Sequence, residues 1–82
     1  MFKLKNEDGS NNISGKALKK IRENMKPKLS QRKFAAKMQL EGLDIDHHVI
    51  RRIENGERFV TDIELKAFSK VLNVSYEKLL DD

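Results

Sequence analysis

The sequence predicts an all-α fold, a compact bundle of five helices, and three observations lead there. Apolar residues recur at spacings of three and four along most of the chain. Capping residues and turn-forming Gly and Asn divide those stretches into short segments, and no run of any strength has the period of two that a strand requires.

Residues 1–13 are expected to be a flexible arm. The stretch 6–12, NEDGSNN, joins turn formers to two acids and holds no apolar side chain, so burial cannot offset the entropy of ordering it. The folded domain is expected over residues 14–82. Its first helix runs from Ser14 to about Met25, with Leu18, Ile21 and Met25 inward and Lys16, Lys19, Lys20 and Glu23 outward, and Pro27 stops it. Ser30 caps the second helix, because its hydroxyl can accept from a free first-turn amide; this helix reaches Leu40 or Glu41, and Gly42 closes it in a left-handed conformation. Asp46 caps a short third helix with Val49, Ile50 and Ile53 inward, ending at the turn dipeptide Asn55-Gly56. Thr61 and Glu64 form a capping box for the fourth, whose apolar positions are Ile63, Leu65, Phe68, Val71 and Leu72 and which ends at Asn73. Ser75 caps the fifth, which holds Tyr76, Leu79 and Leu80. Phe34, Met38, Phe68 and Tyr76 are expected in the core.

A chain of 82 residues has room for one small domain and no deep cleft able to desolvate a substrate, which argues against an enzyme. The absence of Cys excludes disulfides, thiolate nucleophiles and Cys-ligated zinc, and suits a reducing cytoplasm. Apolar runs reach only two or three residues, against roughly 18 for a membrane span, and the amino end lacks a signal-peptide core, so a soluble protein is expected.

The net charge is +4 and the sequence pI about 9.5, but the excess is local. From Ser14 to Val60 there are twelve Lys or Arg and six Asp or Glu, whereas residues 1–13 balance and residues 61–82 are acidic. Such a stretch meets a polyanion. A membrane-surface helix would need a wide, bulky apolar face; the narrow stripes here are those of helices packed on each other, so nucleic acid is the favoured partner.

The stretch LSQRKFAAKMQLEGLDIDHHVIRRIENGERF resembles the phage-repressor helix-turn-helix family, the Cro and cI, or XRE, type. Leu29, Ser30, Gln31, Ala35, Ile50, Ile53, Glu54 and Gly56 carry the likeness. It extends over residues 14–80, because that family adds one helix before this core and two after it. The resemblance implies a lambda-repressor-like bundle in which helices 2 and 3 form the helix-turn-helix. It also implies a sequence-specific, double-stranded DNA-binding regulator of transcription, bacterial or phage-encoded, with no cofactor and no small-molecule substrate.

In a helix-turn-helix the second element, here residues 46–55, lies in the major groove and the first crosses the backbone. With Val49, Ile50 and Ile53 inward, the outward face is His47, His48, Arg51 and Arg52, all hydrogen-bond donors. By match to the family pattern His47, His48 and Arg52 fall on base-reading positions, and Arg51 lies beside a phosphate. Gln31 matches a position that contacts the backbone and sometimes a base. The free amides and positive dipole end at Ser30, with Lys28, Arg32 and Lys33 nearby, suit a phosphate; Arg58 completes the expected phosphate set. The family further implies a structural ion pair between Arg22 and Glu54, worth little if exposed.

Residues 39–43 depart from the family as an apparent insertion, which lengthens the second helix and widens the loop before the third; Leu40, Leu43 and Ile45 are expected to cover the extra turn. His47 and His48 as metal ligands with Asp44 or Asp46 fail on geometry, since adjacent helical residues diverge by about 100 degrees and no third ligand has the spacing. As general bases they lack a nucleophile and a pocket. One short helix reads too few base pairs for selectivity, so a homodimer on a near-palindromic site is expected; Val74, Tyr76, Leu79 and Leu80 of the last two helices either form its seam or close the bundle. The competing class is a protein-interaction module on the same fold, an antitoxin, antirepressor or scaffold, with little or no DNA binding.

Overall fold

A computed structural model describes residues 9–80. Among them the chain forms α1 (Gly15–Glu23), α2 (Gln31–Leu40), α3 (His47–Glu54), α4 (Asp62–Leu72) and α5 (Tyr76–Leu80), with no strand. The starts follow the caps. Ser30 Oγ accepts from Lys33 N at 3.1 Å and Asp46 Oδ1 from Val49 N at 3.0 Å. At α4 the Thr61 hydroxyl accepts from Glu64 N at 3.2 Å while the Glu64 carboxylate accepts from Thr61 N at 2.9 Å, the reciprocal box that satisfies two free amides.

Three helices end alike. After α2, Gly42 N donates to Gln39 O and Leu43 N to Met38 O; after α3, Gly56 N donates to Ile53 O and Glu57 N to Arg52 O; after α4, Asn73 N donates to Lys70 O and Val74 N to Ser69 O. Each pair is a Schellman close, and each needs one left-handed residue, supplied by Gly42 (φ 90°), Gly56 (φ 78°) and Asn73 (φ 53°). The helix α1 stops at Glu23, short of Met25: Asn24 N still donates to Lys20 O, but Met25 N reaches only Arg22 O, three residues back. The Ser14 side chain makes no capping bond; instead Asn12 Oδ1 accepts from Gly15 N at 2.8 Å.

Leu18, Phe34, Met38, Ile50, Ile53, Phe68 and Leu79 are wholly buried, and the Phe34 and Phe68 rings meet at 5.7 Å between centroids. Full burial of such a side chain contributes about 1.5–3 kcal/mol. Packing of α1 on α3 and α5, and of α2 on α3 and α4, seats α3 between α1 and α2.

Three apolar residues lie elsewhere than expected. Ile63 is 69% exposed and Leu40 86%, so neither serves the core or covers the turn, a role left to half-buried Leu43 and buried Ile45. Tyr76 is 48% exposed rather than core. Leu40 is the last residue of its helix, Ile63 lies in a first turn and Tyr76 is the first residue of its helix. Leu79, expected either at a seam between copies or closing the bundle, is wholly buried and closes the bundle.

Candidate nucleic-acid interface

The short helix α3 divides into two faces. Ile50 and Ile53 are wholly buried and Val49 is half-buried against the core, while His48, Arg51 and Arg52 are exposed and His47 is half-buried. That division follows from the 3.6-residue repeat: aliphatics at 49, 50 and 53 occupy one side, and the residues between them must face solvent. The His47 and His48 rings lie 4.1 Å apart, tilted by 36°. Desolvation, and next the charge of Arg32, holds the His47 imidazole below its ordinary 6.5. The bond from the Val49 amide, together with the neighbouring imidazoles, holds the Asp46 carboxyl below its ordinary value, so the cap stays ionised.

Beside this face stands the start of α2. Its first turn carries no acid, and Lys28, Ser30, Arg32 and Lys33 are all exposed around amides of which only that of Lys33 is taken by the Ser30 side chain. Free amides at a positive dipole end, flanked by exposed cations, are groups with the chemistry to attract an anion.

Glu54 joins the two elements. Its carboxylate accepts from Arg22 Nε at 2.7 Å, from Arg22 Nη2 at 2.9 Å and from Gln31 Nε2 at 2.9 Å, and Arg22 Nη1 donates to Leu29 O at 2.9 Å. The bond to Glu54 raises the affinity of the Arg22 guanidinium for its proton above the ordinary value. Both side chains are buried, with 6% and 1% of their surfaces exposed, so the pair is not the weak surface contact of an exposed ion pair. Gln31, half-buried, retains its Oε1 and one N–H for a ligand.

Arg58 stands apart from these groups. Its guanidinium bonds Glu64 through Nη1 at 2.9 Å and Nη2 at 2.8 Å, and Phe59 O at 3.1 Å. Burial pushes the Glu64 carboxyl up, but the Arg58 guanidinium and the Thr61 amide together hold it below its ordinary value. Arg58 thereby fastens the loop after α3 to the α4 cap.

One contributor was not legible in the sequence. Of the arm expected over residues 1–13, residues 1–8 lie outside the described residues, and 9–13 lie against the far end of α3, where Asn11 and Asn12 bond the carbonyls of residues 53–58. The only local trace is Asn12 standing three residues before Gly15, the spacing of a side-chain cap. Among the described residues no three His, Cys, Asp or Glu side chains gather as a metal site, and no helix is long and apolar enough to cross a membrane.

A family model described as helix-turn-helix matches residues 18–79 of the chain. No curated protein and no solved structure matches it.

Proposed function

The chain belongs to the helix-turn-helix family of Cro and cI type, and from that premise we propose that it is a sequence-specific regulator of transcription that lays α3 in the major groove of double-stranded DNA. The family is one of DNA-binding regulators. The two-faced character of α3 carries the finer reading. A helix pinned by Ile50 and Ile53 keeps Arg52 and His48 on the solvent side, and a guanidinium in the groove takes both acceptors of a guanine, worth about 1–3 kcal/mol of discrimination. His47 and Gln31 border that face and complete the base-reading set.

Phosphates meet the first turn of α2, through the Ser30 end and the Lys28, Arg32 and Lys33 side chains, and the Arg51 guanidinium. Arg58 contributes least, being held by Glu64. The Arg22–Glu54–Gln31 cluster fixes the angle between the phosphate site and the reading face. Binding acts by occlusion or recruitment, with no catalytic step.

Two copies bind a near-palindromic site. With Leu79 inside the bundle, the apolar seam between them is Ile63, Tyr76 and Leu80, all exposed and contributed by α4 and α5. The test is selection of bound duplexes from a random pool, followed by sedimentation of the protein with the winning site. Symmetric winners and a two-to-one complex are expected. Unenriched pools, with binding indifferent to salt, would overturn the reading in favour of a protein-interaction module.

A further inference from the structure

The carboxyl end of α3 is tied to residues that precede α1. Asn11 N donates to Gly56 O at 2.7 Å and Asn11 Nδ2 to Glu57 O at 2.9 Å. Asn12 Nδ2 uses both hydrogens, one to Ile53 O at 3.0 Å and one to Arg58 O at 2.7 Å, while its Oδ1 accepts from Gly15 N. A single amide side chain therefore joins the start of α1, the last turn of α3 and the loop into α4. Close packing accompanies it: a Cβ on Gly15 would run into the Ile53 carbonyl, and one on Gly56 into the Ser10 side chain.

We infer that Asn12 is a positioning residue for DNA reading, an inference that rests on α3 being the reading element. A helix of eight residues is about 12 Å long. Its amino end is held by the Asp46 cap and its last turn closes on itself, with Gly56 N donating to Ile53 O and Glu57 N to Arg52 O; Asn12, as a second donor to Ile53 O, is what ties that turn to the residues before α1. Asn12 anchors that last turn at Ile53, next to Arg52. Contacts to base edges need placement within about 0.5 Å, whereas contacts to phosphates tolerate the reach of flexible Lys and Arg side chains. Freeing the last turn of α3 therefore removes selectivity and leaves general affinity in place.

Asn12→Ser separates the two roles of the side chain, since a hydroxyl still accepts from Gly15 N but cannot span to both the Ile53 and Arg58 carbonyls. The experiment measures affinity for the selected duplex and for a random duplex at one salt concentration, and amide exchange in the free protein. For Asn12→Ser, random-duplex affinity and its salt slope stay at the wild-type values, selected-duplex affinity falls by about fivefold or more, and the amides of residues 51–57 exchange faster while those of α2 do not. An unchanged ratio of the two affinities in a variant of native helicity overturns the positioning role. Wild-type protein that binds both duplexes equally overturns the DNA reading and this inference with it, and shows itself before any substitution is made. Should Asn12→Ser not fold, Asn11→Ala, which cuts only the side-chain bond to Glu57, is expected to lower the same ratio by a smaller factor; an unaltered ratio there counts against the inference equally.

Discussion

The Arg22 guanidinium grips the Glu54 carboxylate through two hydrogen bonds, Nε to Oε2 at 2.7 Å and Nη2 to Oε1 at 2.9 Å, where neither side chain reaches solvent appreciably. Arg22 belongs to α1 and Glu54 ends α3, so the pair sets one helix on the other, and Leu29 and Gln31 bring the start of α2 to the same point.

Removing one partner leaves the other buried and uncompensated. Arg22→Met is expected to cost about 3–5 kcal/mol, a large part of the roughly 5–15 kcal/mol that holds a domain folded. The double variant Arg22→Met with Glu54→Leu should recover most of that loss, because no charge is then stranded. Urea unfolding measures both; equal stability of wild type and Arg22→Met would show the pair to be energetically idle.

Gly15→Ala should destabilise, although alanine is the better helix former by about 1 kcal/mol in an exposed helix interior. The added methyl meets the Ile53 carbonyl, a backbone atom that cannot yield without moving α3, and overpacking of that kind costs about 1–3 kcal/mol. A lower thermal midpoint is the expected reading; a raised one would show that α1 and α3 can separate freely.

Arg32→Ala and Lys33→Ala should each weaken selected and random duplexes alike. Each removes one phosphate contact, so the log-log slope of affinity against salt falls by about 0.9 per substitution. A slope equal to that of wild type would place the side chain away from the DNA.

Desolvation, and next the Arg32 charge, holds the His47 imidazole below its ordinary value in the free protein. DNA brings negative charge to the imidazole and raises its proton affinity, so binding takes up a proton. Affinity is then expected to rise as pH falls from about 7.5 to 5.5, and His47→Gln should flatten the profile. Folding has the opposite sign: a depressed imidazole contributes its full stability above the ordinary value and loses it as pH falls through the folded one. A pH-independent affinity for the wild type removes His47 from the interface.

The caps were legible because their signals are local. Ser30, Asp46 and the Thr61–Glu64 box each act within three residues, and Gly42 and Gly56 mark closes that only a left-handed residue makes. The two faces of α3 follow equally from its repeat. Periodicity failed at helix ends, where Leu40, Ile63 and Tyr76 fit the stripe but stay exposed. Asn12 was read as part of a polar arm because its partners, Ile53 and Arg58, lie more than forty positions away. The engagement of Arg58 by Glu64 was hidden for another reason: Glu64 already had a local role in the capping box, and nothing in the spacing shows that its carboxylate accepts from Arg58 as well as from Thr61 N.

Affinity of Arg52→Ala for the selected duplex and for each of its single-base variants bears most directly on the proposal that α3 reads base edges. Wild type should lose about 1–3 kcal/mol at the guanine that Arg52 contacts, and the variant should be indifferent to that base pair while discriminating normally at the others. A loss spread evenly over every position and over random DNA would mean that Arg52 supplies charge alone and that α3 does not read the sequence through it.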